Sequence, residues 1–116
     1  LLDVSLPKIK EKQMEQLVTM FRELRVGKTI DGKQKIKSTQ ANLSPAEAIS
    51  ILHHARIHAH YFNQNQIPIE LIAPGMINII QQTDNKDYAS LEEYNEVVIK
   101  KRSDWKEWYV AFKNLL

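Results

Sequence analysis

Gly27-Lys28-Thr29, inside the stretch RVGKTIDGK at 25–33, carries the three letters that end the phosphate-binding loop of many ATPases and GTPases. Such a loop needs G-x-x-x-x-G-K-[ST], because its glycines let successive backbone N–H groups wrap the phosphates while the lysine reaches the outer ones. Here the position five before Gly27 is Arg22. The residues upstream, EQLVTMFREL, read as an amphipathic helix, whereas a phosphate loop follows a buried strand and opens a helix. The three letters are therefore not expected to hold a nucleotide.

The histidines are the second candidate for chemistry. His53, His54, His58 and His60 all lie in one stretch of eight residues, and His54 and His58 have the i, i+4 spacing that lets two imidazoles face one metal. A zinc site wants three or four ligands. The pattern is not H-E-x-x-H, and no cysteine or carboxylate lies on the same face nearby, so no metal is expected. Around a helix, His54 and His58 border an apolar stripe while His53, Arg56 and His60 form a separate polar flank. Trp105, Trp108, Tyr109 and Phe112 recur at helical spacing, and such a stripe belongs to a core more often than to a base-stacking or partner surface. No Ser/His/Asp grouping sits on a strained nucleophile turn and no pair of carboxylates stands in apolar surroundings, so no catalytic residue is expected.

These residues must be positioned by a single domain. The chain has 116 residues, and 43% hydrophobic content is ordinary for a globular protein that buries a core. Without cysteine it has no disulfide and no thiolate metal site, and the cytoplasm is the expected compartment. No apolar run approaches the roughly eighteen residues that span a bilayer, and LLDVSLPKIKEK lacks the basic and apolar regions of a signal peptide. The start without a methionine suggests a piece of a longer protein. A formal net charge of +2 does not argue for nucleic acid, but five basic residues (Arg25, Lys28, Lys33, Lys35, Lys37) stand against the single acid Asp31 in one short stretch. That stretch reads either as a solvated hairpin or as a contact surface for phosphate or an acidic partner.

The elements follow from periodicity and punctuation. Ser5-Leu6-Pro7 resembles a helix start, and Met14, Leu17, Val18, Phe21 and Leu24 then share one face of a helix ending near Leu24. Asp31-Gly32 lies between short runs with β-branched residues, which predicts a small hairpin over about 25–37 with a type I′ turn. In NLSPAEAISILHHARIHAHYF, Ser44 caps a helix, Pro45 takes its first position and Glu47 completes a capping box. Ala48, Ile51, Leu52, Ala55, Ala59 and Phe62 form its apolar stripe. Pro68 opens the next helix, with Ile72, Met76, Ile79 and Ile80 buried, and Pro74-Gly75 should kink it or divide it into two. Ser90 with Glu93 forms a further capping box, and Ser103 caps a last helix.

Taken together, LVTMFRELRVGKTIDGKQKIKSTQANLSPAEAISILHHA and YNEVVIKKRSDWKEWYVAF resemble the segment that follows the ATPase core in MoxR-type AAA+ ATPases. The most specific parts are FRELR-G-T-DGK-K-KS, LS-AEAIS and the tryptophan-bearing tail, and the similarity covers nearly the whole chain. The resemblance implies a mostly α-helical domain of about five helices with a small β-hairpin over 1–116, a lid-like bundle at the C-terminal side of an ATPase. DVSLP would be the end of the core's last strand.

The resemblance further implies that ATP and magnesium belong to the full-length protein and its Walker motifs, not to this segment. The lid would close over nucleotide and transmit its state to neighbouring subunits of a homo-oligomeric, chaperone-like ring, often alongside von Willebrand factor A domain proteins. Many MoxR lids carry an arginine in SPRA at the start of the helix matched here by Ser44-Pro45, where it can reach the γ-phosphate. This chain has Ala46 followed by Glu47. Arg56 and Lys37 are the nearest basic substitutes. The alternative is a free-standing helical module that binds a protein partner through its basic hairpin without nucleotide. No membrane contact is expected, and nucleic-acid binding rests on the Arg25 to Lys37 charge alone.

Overall fold

The computed structural model describes residues 6–36, 44–81 and 85–116, with backbone only at 81 and 85–88. Among the described residues there are five helices: α1 (Glu11–Val26), α2 (Pro45–Tyr61), α3 (Ile69–Gln81), α4 (Asn85–Val97) and α5 (Lys106–Leu115). Two 3-10 turns, Ile99–Lys101 and Ser103–Trp105, join α4 to α5. The chain is mostly α-helical, as expected.

α3 is the central element, packed against α2, α4 and α5. Its sequence explains the placement. Ile69, Ile72, Ala73, Met76, Ile77 and Ile80 are buried, with Leu71 and Ile79 partly so, and a helix that is apolar on most sides must be surrounded. Each large side chain taken out of water contributes about 1.5–3 kcal/mol. The helix runs unbroken through Pro74, so division into two short helices does not occur. Pro74 is exposed, which leaves the Glu70 carbonyl it deprives of a donor on the solvent side, where hydration compensates. Gly75 faces α2 instead. A Cβ there would meet Ile51 Cγ2 at 3.0 Å, so the glycine permits the two helices to approach.

α2 begins as its sequence says. Ser44 is extended, its Oγ accepts from the Glu47 N–H at 3.3 Å, and Pro45 holds the first position. Ala48, Ile51, Leu52, Ala55 and Ala59 are buried. Phe62 is not part of that stripe: it lies past the end of α2 and is 58% exposed, because the chain leaves the helix there and turns through Asn63 at φ 56°.

Three further boundaries and one buried face differ from expectation. α1 starts at Glu11 rather than at Pro7: residues 6–10 are non-helical, and the Pro7 carbonyl is engaged by Arg56 of α2. Its buried face is also rotated: Met14 and Val18 are exposed, whereas Gln13, Gln16, Met20 and Glu23 are buried beside Leu17, Phe21 and Leu24. Ser90 is not a cap. It is a buried residue inside α4, which begins upstream at Asn85, and it shares the inward side with Leu91, Tyr94 and Asn95. Ser103 does not cap α5 either; it opens the second 3-10 turn, and α5 starts three residues later without a side-chain cap.

The hairpin over 25–37 is reduced, among the described residues, to one isolated antiparallel bridge between Lys28 and Lys35. No strand forms among the described residues, because the β-branched Thr29 and Ile30 are used in the turn. The Gly32 N–H donates to the Thr29 carbonyl at 2.9 Å, and only Gly32 of the turn, at φ 75°, has positive φ. A type I′ turn would need positive φ at Asp31 as well. The aromatic stripe is core: Trp108 and Phe112 are buried, and Trp105 and Tyr109 pack partly buried against them.

Candidate functional site

Three regions hold the residues with chemical potential. The first is the corner where the chain enters. Arg56, on the polar flank of α2, donates from Nε to the Pro7 carbonyl at 2.9 Å across 49 residues of sequence. Leu6, Pro7, His60, Asn63, Gln64 and Asn65 line an open polar depression of about 380 Å³ beside it. Arg56 and His60 are thus brought to one corner. Lys37, the other basic candidate, lies outside the described residues.

The second region is a groove of about 520 Å³ between α2 and α3. His54 and His58 stand on its α2 wall, with Glu70 and Asn78 on the α3 side and Ile51, Pro74 and Gly75 between them. His53 and His60 point elsewhere, as the helical projection indicates, and all four imidazoles are exposed. Among the described residues no group of three or more histidines and carboxylates is placed to hold a metal ion. The groove joins two imidazoles to solvent without the third ligand that zinc requires.

The third region is the basic loop after α1. Gly27, at φ 82°, ends that helix, and its N–H donates to the Glu23 carbonyl at 2.8 Å. The helix therefore precedes the Gly-Lys-Thr triplet, the reverse of a phosphate-binding loop. Thr29 is buried and its hydroxyl donates to Asp31 Oδ1 at 2.6 Å, closing the turn rather than facing outward. That bond first, then the Lys33 N–H, holds the Asp31 carboxyl below its usual value.

Beneath this loop lies a group that residue types did not announce. Glu23 is wholly buried and receives Arg102 Nη1 at 2.9 Å on one carboxylate oxygen and Nη2 at 2.6 Å on the other. The Tyr94 hydroxyl donates to Oε1, and the Ile30 N–H to Oε2 at 2.9 Å. Burial disfavours the carboxylate, but the bonds from Arg102, Tyr94 and Ile30, with the guanidinium charge, outweigh it and hold the Glu23 pKa below the ordinary value. Tyr94 is pushed upward, first by burial and then by its bond to the ionised Glu23. Burial alone would pull Arg102 down; its bond to Glu23 and the nearby negative charge reverse that. The guanidinium also stacks on Trp105, 4.6 Å from the ring centre.

Chemically this cluster is saturated. Four hydrogen bonds from three partners satisfy the carboxylate, so it fastens α1, the loop, α4 and the 3-10 turns rather than offering an acid or base. Gln13 and Gln16 act similarly, donating to the Ile67 carbonyl at 2.8 Å and the Asp104 carbonyl at 3.1 Å, while Trp108 Nε1 donates to Gln16 Oε1 at 2.7 Å. The spacing of Gln13, Gln16, Met20 and Glu23, at three, four and three beside the apolar positions, is the one sequence signal that these polar residues face inward.

No helix among the described residues is long and apolar enough to cross a membrane. No curated protein and no solved structure shows significant similarity to the chain. The family of YehL-like AAA+ ATPase C-terminal domains, however, matches residues 5–114, nearly the entire length. The helical bundle, the tryptophan-bearing last helix in its core and the proline-started α2 thus have a family context: this chain belongs to the YehL-like AAA+ ATPase C-terminal domains.

Proposed function

We propose that the domain is the nucleotide-responsive lid of a MoxR-type AAA+ ATPase. In this reading the preceding ATPase core holds ATP and magnesium, and the lid closes over that nucleotide and passes its state to neighbouring subunits of a homo-oligomeric, chaperone-like ring in the cytoplasm. Proteins with von Willebrand factor A domains are its expected companions. The chain alone turns over no ATP, because the parts that stabilise phosphoryl transfer reside in the core.

The observation that carries this reading is the bond from Arg56 Nε to the Pro7 carbonyl. It fastens the entering segment to the polar flank of α2, so a displacement of that segment moves α2, and with it α3, as one body. In this reading Arg56 stands in for the arginine that is absent at Ala46, and its bond to Pro7 supports the reading by holding it beside the chain that comes before the bundle. Lys37 is the second candidate on sequence grounds.

The test compares Arg56→Ala and Arg56→Lys in the full-length ATPase with the same substitutions in the 116-residue chain. Loss of the hydrogen bond should cost the chain about 1 kcal/mol. ATPase activity should fall by about tenfold in the alanine variant, well beyond the loss of folded protein, and recover in part with lysine. Activity that merely follows the folded fraction in both variants would make Arg56 a packing residue and remove the sensor reading.

A further inference from the structure

The loop after α1 presents two lysines in an arrangement that local stability disfavours. Thr29 N–H donates to the Gln34 carbonyl at 2.9 Å and Ile36 N–H to the Gly27 carbonyl at 3.0 Å, so the bridge between them makes Lys28 and Lys35 a non-hydrogen-bonded antiparallel pair. In such a pair the side chains leave the same face at their closest separation, and like charges directly opposite repel. Among the described residues neither lysine has an acidic partner.

The loop cannot relieve this by opening easily. Thr29 and Asp31 tie its tip, the Gln34 N–H donates to Thr29 Oγ1 at 3.2 Å, and Glu23 holds the Ile30 N–H from below. Lys33 adds a third exposed cation. Among these charges stand two aliphatic side chains in water, Val26 at 62% and Ile30 at 58% exposure. A short surface in which three exposed lysines and one acid, Asp31, stand on a tied backbone beside exposed aliphatic groups is unlike a merely solvated turn.

We infer that this loop, centred on Lys28, Lys35 and Ile30, is a docking surface for an acidic protein segment that also carries apolar side chains. Charge complementarity selects the acidic partner, and Val26 and Ile30 select one that can bury methyl groups. Nucleic acid fits less well: the stretch 25–36 contains no aromatic residue on which a base could stack, and its aliphatic groups would face phosphates. The inference goes beyond the lid reading and requires no nucleotide, so failure of one leaves the other standing.

The experiment titrates the chain, without nucleotide, into a fluorescently labelled glutamate-rich peptide interspersed with leucines. Poly-glutamate and single-stranded DNA of the same length serve as the comparison probes. The mixed peptide should bind more tightly than either. Lys28→Glu should weaken it by about tenfold while leaving thermal stability equal or higher, because it turns a like-charge pair into an opposite-charge one. Ile30→Ser should weaken the mixed peptide but not poly-glutamate. DNA binding as tight as that of the mixed peptide would overturn the protein reading in favour of a phosphate surface. Absence of peptide binding, or binding unaffected by Lys28→Glu, would overturn the docking surface itself.

Discussion

Glu23 and Arg102, separated by 79 residues in sequence, form a two-pronged ion pair in which the carboxylate is fully buried and the guanidinium retains 27% of its side-chain exposure. Removing one partner leaves the other's charge or donors unmatched. Glu23→Gln or Arg102→Met alone should cost about 3 kcal/mol, near the lower end for a buried pair because Arg102 still reaches water. The double variant should cost less than the sum, since neither charge is then stranded. Urea unfolding of the four proteins measures this, and strict additivity would show that the two residues do not act as a pair.

The same carboxylate sets how the domain responds to acid. Its reference value is 4.5 and its folded value is lower, so the stability it contributes is fully present above about pH 4.5 and is lost as pH falls through the folded value. The urea midpoint should hold level from neutral pH down to about 5 and then decline. In Glu23→Gln the decline should be shallower. An unchanged acid slope in that variant would assign the loss to surface carboxylates such as Glu96, lowered chiefly by its bond to Lys113, and added salt would then reduce it.

Ser44→Ala removes the oxygen that accepts from the Glu47 N–H and should destabilise the domain by about 1 kcal/mol. Ser44→Gly should cost only a few tenths as much. Equal losses for the two would mean that the serine matters for something other than its cap. Calorimetric unfolding resolves the difference.

Gly75→Ala brings two effects into opposition. Alanine favours a helix interior over glycine by about 1 kcal/mol, but its methyl would stand 3.0 Å from Ile51 Cγ2. Overpacking of this kind costs about 1–3 kcal/mol, so net destabilisation is expected. Ile51→Ala removes both Cγ atoms that the new methyl would meet, so the double variant should cost less than the sum of the two single losses. If Gly75→Ala stabilises the chain on its own, the α2 and α3 contact is looser than its geometry indicates.

How legible all this was in the sequence varied with the physics of each element. The α2 start was readable because Ser44, Pro45 and Glu47 act within one turn, where side chain and backbone decide together. Trp108 and Phe112 were readable as core because large aromatics at helical spacing have few other places to go. The inward face of α1 is illegible for the opposite reason: Gln13, Gln16 and Glu23 are polar, and apart from the Ile30 N–H on Glu23 the bonds that make their burial tolerable come from residues 54 to 92 positions away. Ser90 and Ser103 show the same limit, since a serine before an acidic residue signals a cap only where the upstream chain is not already helical or tightly turned. The helical projection puts Arg56 outside the apolar stripe, yet its bond to Pro7 depends on where the chain before α1 lies, which no local pattern records.

The polar anchors of α1 carry a consequence for how the chain is made. Their partners on the C-terminal side, Arg102, Asp104 and Trp108, stand 79, 88 and 92 residues further along. During synthesis α1 emerges early with a carboxylate and two amides on its inward face, and must wait for nearly the whole domain before they are matched. Until then its apolar positions are poorly covered, and the nascent segment is exposed to aggregation. A stop codon ahead of Arg102 would therefore release a chain whose first helix lacks its lock, and proteolysis rather than function should decide the fate of such a product.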